Sequence, residues 1–509
     1  MGSWLKSREY QMNRKPKFSP LKIAYEHPSY KAGKNPSAFT VGEHTYITET
    51  RSYRLITPLF GGGVKAGVND PITPIRASGI RGQLRFWWRA IRGGGYRSID
   101  DLRAKEAQIW GSANTSFSSE KEREDEDSGN LVDDKNQENN KLKNIIPIQI
   151  SVEISSDGEE KYPYVMKKNA IGNYNPEPIS STAPAYASFP LKPEMNAIRK
   201  YGPKTPINPI RNKIIFRLKI TYYQHHKLEI QAALWAWEMF GGVGGRTRRG
   251  FGSITQCDSD NKPQNAESVA QWLKQNIKNY TEDISKRGFN WINDIPNIVE
   301  SINESKFFCS SKGLNGIRIW NNMINTLQKF RHQRNQYGKK FGRNHWPEPD
   351  FIREITGEQS NDHQEAIIKV DKFPRAAFGL PIIFHFINRK DKKNPNAPRD
   401  PYDTTLVPKG FERFSSPLII KIIQCADESY VGIALILSKT QVPNQLQLKK
   451  GGTPLLNPND QTEDFQHLLT PNEAQQIKQI EANKASGSLL NQGTDILKAF
   501  LAYLAKELR

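Results

Sequence analysis

Apolar residues recur along this chain with two periods. Between Leu228 and Met239 the apolar positions Leu228, Ala232, Trp235 and Met239 return at spacings of three or four, which predicts one buried face of a helix. Ile80, Leu84, Trp87 and Ile91 form a second stripe of this kind, and Leu497, Leu501 and Leu504 a third near the C-terminus. Elsewhere the period is two. RSYRLITPLF (51–60) and KIIFRLKITY (213–222) alternate as half-buried strands do. IIPIQISVEI (145–154) reads as another strand, and 251–255 as a short one. The order strand, helix, strand, strand, helix, strand fits a split βαβ, ferredoxin-like (RRM-like) domain with long insertions.

Residues 266–346 carry mainly helical patterns, and strand patterns return at 376–386, 416–423 and 430–437. A helix over 496–508 closes the chain. The expected architecture is therefore α+β: two ferredoxin-like domains with a helical segment between them. The expected boundaries are a basic arm over 1–40, a first domain over 41–260, a basic helical insertion over 261–350 and a second domain over 351–509. An acidic insertion at about 112–142 interrupts the first domain; its core, 118–140, holds nine acidic and three basic residues and almost no apolar ones. Such a composition predicts disorder.

Charge narrows the class of partner. Lys plus Arg number 73 against 53 for Asp plus Glu, a formal charge of +20. An excess of this size points to polyanions. No apolar run approaches the length of about 18 residues that a membrane-spanning helix needs, and the first residues lack the apolar core of a signal peptide. The three cysteines, Cys257, Cys309 and Cys425, are widely spaced, which indicates neither a disulfide framework nor a CxxC metal site. The chain reads as cytoplasmic, reduced, free of metal and cofactor, and without contact to a membrane.

The candidate chemistry is basic. Gly241 and Gly242 stop the 228–239 helix, as glycines in the left-handed conformation do at a C-cap. The loop that follows holds Gly244, Gly245, Arg246, Thr247, Arg248, Arg249 and Gly250. Glycines allow close backbone approach and arginines select an anion; a solvated basic turn would read the same way. On the 80–92 helix, with Ser78 as its expected N-cap, Arg81, Arg85 and Arg89 stand four residues apart with no acid inside the helix. Like charges so placed cost a few tenths of a kcal/mol each, which a phosphate backbone would offset. Lys65 and Arg76 border this track. Between 329 and 346, Lys329, Arg331, Arg334, Lys339, Lys340 and Arg343 interleave with Phe330, Tyr337, Phe341 and Trp346. That is either a single-strand RNA surface or a charged helix face followed by a turn.

Other chemistry is absent or thin. Gly245 to Gly250 has Walker spacing, but Phe251 and Gly252 stand where Lys and Ser or Thr belong, and the loop follows a helix instead of opening one. No GxGxxG fingerprint follows a strand. His225 and His226, or His44 beside Tyr46, could act as acid and base in RNA cleavage, although tandem histidines at a strand end are commonly surface residues.

The loop GGVGGRTRRGFGSI, placed after a helix, resembles the signature loop of the RAMP superfamily of CRISPR RNA-binding proteins. LITPLFGGG, ITPIRASGIRGQLRFWWRAI, HWPEPDFIREI, FPRAAFGLPIIFHF and RFSSPLII are similar to blocks of the Cmr-type RAMP subunit that caps the target-entry end of the type III-B effector complex. The resemblance implies a non-catalytic subunit that binds the 3′ region of the guide RNA (crRNA), admits target RNA, and contacts other Cmr-type subunits. The RNA-binding residues would be Lys65, Arg76, Arg81, Arg85, Arg89 and 244–250. The alternative expectation is a metal-independent endoribonuclease that processes CRISPR precursor RNA with His44, His225 or His226.

Overall fold

The computed structural model describes residues 36–63, 67–111, 146–259, 261–334, 343–363, 365–386, 397–481, 484–491 and 493–508. Lys65, the acidic stretch at about 112–142, most of the basic arm, and Tyr337, Lys339, Lys340 and Phe341 lie outside these residues.

The protein is α+β. Its first sheet is built from β1 (Ser37–Val41), β2 (His44–Leu55), β3 (Gln149–Ser156), β4 (Ile215–Tyr223) and β5 (Ile254–Gln256). The path runs β1-β2-β4-β3, and β5 pairs with the far half of β2. Every pairing is antiparallel. Alternation decides which side is packed. On β4, Phe216, Leu218, Ile220 and Tyr222 are buried, whereas Ile215, Arg217 and Lys219 are exposed. Two helices cover the packed side: α1 (Ala77–Arg92) and α3 (Lys227–Phe240), with α2 (Ile99–Trp110) beside them. Trp88, Trp235 and Trp237 are each no more than 1% exposed in this core. Filling such a core with large rings contributes about 1.5–3 kcal/mol per side chain.

Three local expectations are corrected. Helix α1 starts at Ala77 with Arg76 as N-cap and no side-chain cap, so Ser78 lies inside it. Gly241 does stop α3, but with φ −91°, outside the left-handed region. Space is what requires glycine there, since a Cβ would lie 2.5 Å from Nε1 of Trp87. Leu228 is 40% exposed while the rest of α3 is buried on almost every side. Neighbours on several sides of the helix remove the single apolar face that the spacing implied.

The remainder packs around a second sheet of β6 (Phe307–Cys309), β9 (Leu418–Gln424) and β10 (Tyr430–Ile436), ordered β6-β10-β9. Helix α4 (Val269–Ser285) joins the first core, whereas α5 (Gly316–His332) and α7 (Ile496–Leu508) join the second. A smaller third cluster holds α6 (Glu348–Thr356) against a sheet that includes β7 (Ile382–Phe384), β8 (Thr404–Pro408) and β11 (Leu446–Lys450). No described helix is long and apolar enough to cross a membrane.

Candidate nucleic-acid interface

The loop after α3 is held as a wedge between the two main cores. On one side its backbone is pinned by the segment that follows β2: Gly245 N–H donates to Phe60 O at 2.8 Å and Gly252 N–H to Pro58 O at 2.8 Å. From the second core, Ile420 N–H donates to Arg248 O at 3.1 Å, and Trp320 Nε1 on α5 donates to Arg249 O at 2.7 Å. Gly250 has φ +86°, and a Cβ on it would sit 2.5 Å from Nε1 of Trp320. Both facts require glycine at that position.

The loop's arginines reach neutral partners. Arg246 donates to Ala187 O at 3.0 Å and lies over the Phe60 ring at 5.8 Å. Arg248 donates to Ser416 O and lies over Phe86 at 5.4 Å. Arg249 donates to Leu418 O and Phe378 O, both at 3.1 Å. Burial first, and the neighbouring Arg331 second, lower the Arg249 guanidinium to about 9. Arg331 of α5 lies over the rings of Phe378 and Tyr186, at 5.2 and 5.9 Å. Among the described residues no carboxylate pairs with Arg246, Arg248, Arg249 or Arg331. Carbonyls and rings orient a guanidinium without cancelling its charge, so positive potential accumulates.

These residues line a cleft of about 2240 Å³. Among the described residues, ten arginines and Lys329 face it against two acids, Asp400 and Glu507. One side is compensated: Arg353 bonds Asp400 at 2.9 Å and Asp350 at 2.8 Å, and Arg375 approaches Glu348 at 3.1 Å. At the end of α5, burial together with Arg334, Arg375 and Arg331 lowers His332 to about 4.

The α1 ladder does not join this cleft, which corrects the expected single track. Arg85 bonds Glu106 of α2 at 2.6 Å, and Arg89 bonds the same carboxylate. Arg81 donates to Trp110 O and Ile148 O at 3.0 and 2.9 Å. Arg76 pairs with Asp70 at 2.5 Å. None of the four lines the cleft. The acid that neutralises the ladder comes from the next helix, which a search within α1 could not find. Sequence reasoning also missed Arg353, Arg375, Arg399 and Arg413. The only signal for Arg375 was its place in the block FPRAAFGLP.

The three histidines of the alternative reading do converge. The rings of His44, His225 and His226 lie 5.2, 4.8 and 5.5 Å from that of Tyr223. His226 is buried, 3.4 Å from Lys105 Nζ, and burial followed by that ammonium pushes it down to about 3. Among the described residues no group of three or more His, Cys, Asp and Glu could hold a metal ion.

The arrangement is an α+β scaffold with a glycine–arginine loop in the lining of a basic cleft. Residues 52–255, about two fifths of the chain, match the model of the RAMP superfamily, and the chain resembles that superfamily as its loop led us to expect. Among solved structures it is similar to Cmr1 from Pyrococcus furiosus in its apo form, at 16% identity and TM-score 0.40, covering 81% of this chain and 94% of that one. A chain of the type III-B Cmr-beta complex bound to cognate target RNA is 13% identical at TM-score 0.39, covering 77% and 95%. A chain of that complex with target RNA, AMPPnP and single-stranded DNA is 12% identical at TM-score 0.40, covering 90% and 99%. TM-scores of this size do not establish a shared fold. No curated protein matches the chain.

Proposed function

We propose that this chain is a non-catalytic RNA-binding subunit of a type III-B CRISPR ribonucleoprotein, holding the 3′ region of the guide RNA and helping to capture target RNA. The observation that carries the reading is the set Arg246, Arg248, Arg249 and Arg331. Four guanidiniums with carbonyl or ring partners, and no carboxylate partner among the described residues, share one cleft. A phosphate backbone supplies the missing charge with little reading of sequence, as suits a protein whose guide RNA provides the specificity. The strand order β3-β4-β2-β5, crossed on one face by α1 and α3, supports a ferredoxin-like first domain. The Cmr-type assignment, with other Cmr-type subunits as partners, rests on the sequence blocks given above.

The test is a filter-binding salt titration of Arg246→Gln/Arg331→Gln/Arg334→Gln on single-stranded RNA. Affinity should fall, and the slope of log affinity against log salt should drop by about 0.7 per lost phosphate contact. An unchanged slope and affinity refute the cleft. Arg249 is left out of the variant because it ties the loop to Leu418 and Phe378. Convergence of His44 and His225 on Tyr223 favours the endoribonuclease as a second reading. Cleavage of repeat RNA in EDTA, lost in His44→Ala/His225→Ala, would establish it.

A further inference from the structure

We propose that Phe189 and Arg246 form a nucleotide subsite in the cleft, where Phe189 stacks an unpaired base and Arg246 meets the phosphate beside it. The inference rests on the RNA-binding reading of the cleft and deepens it, because it selects single-stranded RNA over duplex. Both residues line the cleft. Phe189 is 63% exposed, and the chain around it explains why. Pro184 precedes the helical turn Ala185–Ser188, and Pro190 lies in the turn Phe189–Leu191. Ala187 and Leu191, two positions to either side, are buried in the second core. At 3.6 residues per turn, the residue between them faces away from that core.

The Phe189 ring is unengaged: among the described residues no other ring stacks on it and no cation lies over it. Tyr186, in the same pair of turns, differs. Arg331 lies over its ring at 5.9 Å, and the His332 ring meets it edge-on at 5.7 Å. Arg246 is tied to these turns as well. Its guanidinium donates to Ala187 O at 3.0 Å, two residues before Phe189. Its backbone is left-handed, with φ +56°. That conformation strains a residue with a Cβ, whereas glycine adopts it freely. Gly244 and Gly250 in the same loop do so, at φ +75° and +86°. Glycine would serve the turn at position 246 with less strain, so the strained arginine points to a use for its guanidinium.

A nucleotide matches both groups at once. Its base offers a flat face to the open ring, and its phosphate offers charge to the guanidinium. An apolar protein segment would cover Phe189 but seal the neighbouring guanidinium from water with a carbonyl as its partner, which burial of a charge penalises. In duplex RNA the bases stack on one another, so the ring requires an unpaired base that can be splayed onto it. Every base has such a face, and Phe189 therefore adds affinity without choosing sequence.

Fluorescence-anisotropy titrations of the full chain with a short oligouridine, and with duplex RNA of equal length, test the subsite. Phe189→Ala should weaken oligouridine binding about tenfold, the worth of one stacked base. Its salt slope should match wild type, because no phosphate contact is lost. Phe189→Trp should bind at least as tightly as wild type. Duplex affinity should be equal in wild type and Phe189→Ala. Photo-crosslinking of the wild-type chain to oligouridine, read by mass spectrometry, should mark Phe189, and this readout depends on no variant folding. Unchanged oligouridine affinity in Phe189→Ala, or crosslinks confined to other cleft peptides, overturns the proposal. So does an equal loss on duplex RNA, or a protein partner whose binding alone is lost in Phe189→Ala. If the subsite alone fails, Arg246→Gln/Arg331→Gln/Arg334→Gln weakens oligouridine binding while Phe189→Ala does not; if the cleft reading fails, that triple variant binds as wild type.

Discussion

Helix α1 and the glycine-loop cleft both concentrate arginine, and they use it in opposite ways. On α1 the cations meet carboxylates: Glu106 serves Arg85 and Arg89, while Glu229 and Asp283 serve the buried Arg92 at 2.7 and 2.6 Å. In the cleft, Arg246, Arg248, Arg249 and Arg331 meet carbonyls and rings. Paired cations have spent their charge inside the molecule. Cations oriented by neutral groups keep theirs for a ligand. An arginine cluster therefore says little until its counter-charges are known, and those come from elsewhere in the chain.

The sharpest way to break this contrast is Arg92→Ala. It leaves Glu229 buried without its ion-pair partner and also strips two hydrogen bonds from Asp283. Losing one member of a buried pair costs about 3–5 kcal/mol, and urea denaturation should show a loss of that order. RNA affinity of the folded fraction should not change. Next in size, Arg331→Gln in the cleft should weaken RNA binding by about 1.5–3 kcal/mol, the worth of a hydrogen bond to a charged group. Its folding stability should move by no more than about 0.5 kcal/mol. Stability lost with affinity kept would reverse the roles assigned to the two regions. Smaller still, Arg85→Ala should lower stability by at most about 1 kcal/mol, because its side chain is 40% exposed and such pairs are weak. Its salt slope on RNA should match wild type; a shallower slope would return α1 to the RNA track.

What could be read from the sequence was local. The C-terminal helix occupies Ile496–Leu508, where its stripe placed it. The loop after α3 was visible because helix arrest, glycine spacing and three arginines are adjacent. Pairing was not visible, since Glu106 lies 17 residues from Arg89 and 21 from Arg85, on another helix. Nor was the cleft: Arg331, Arg353 and Arg375 come from separate elements that only tertiary packing brings to face Arg246. Arg331 stood out in sequence because rings flanked it, whereas Arg375 sits in an apolar block with no periodic sign of its side chain's direction. The histidines showed the same limit. His44 and His225 are far apart in the chain and meet only because β2 and β4 pair in register.

The finest test uses His332 as a reporter inside the cleft. Burial and the cations Arg334, Arg375 and Arg331 hold its imidazole near 4. A folded pKa below the ordinary value of about 6.5 means that the unfolded chain takes up this proton first. The contribution to stability is thus complete above about pH 6.5 and is lost as pH falls toward 4. Bound polyanion would offset the cationic field and raise the His332 pKa. RNA binding must then take up a proton between these values, and affinity should strengthen as pH falls from 6.5 toward 4. An NMR titration of histidine-labelled protein, with the His332 resonance assigned through His332→Gln, reads the shift directly. Arg331→Gln without RNA should move the resonance the same way, because it removes one positive charge from the ring's surroundings. His226, held near 3 by burial and Lys105 on a different part of the molecule, should not respond to Arg331→Gln. Equal shifts at both histidines would mean that the cleft's field is not local, and the contrast between the two arginine regions would fail.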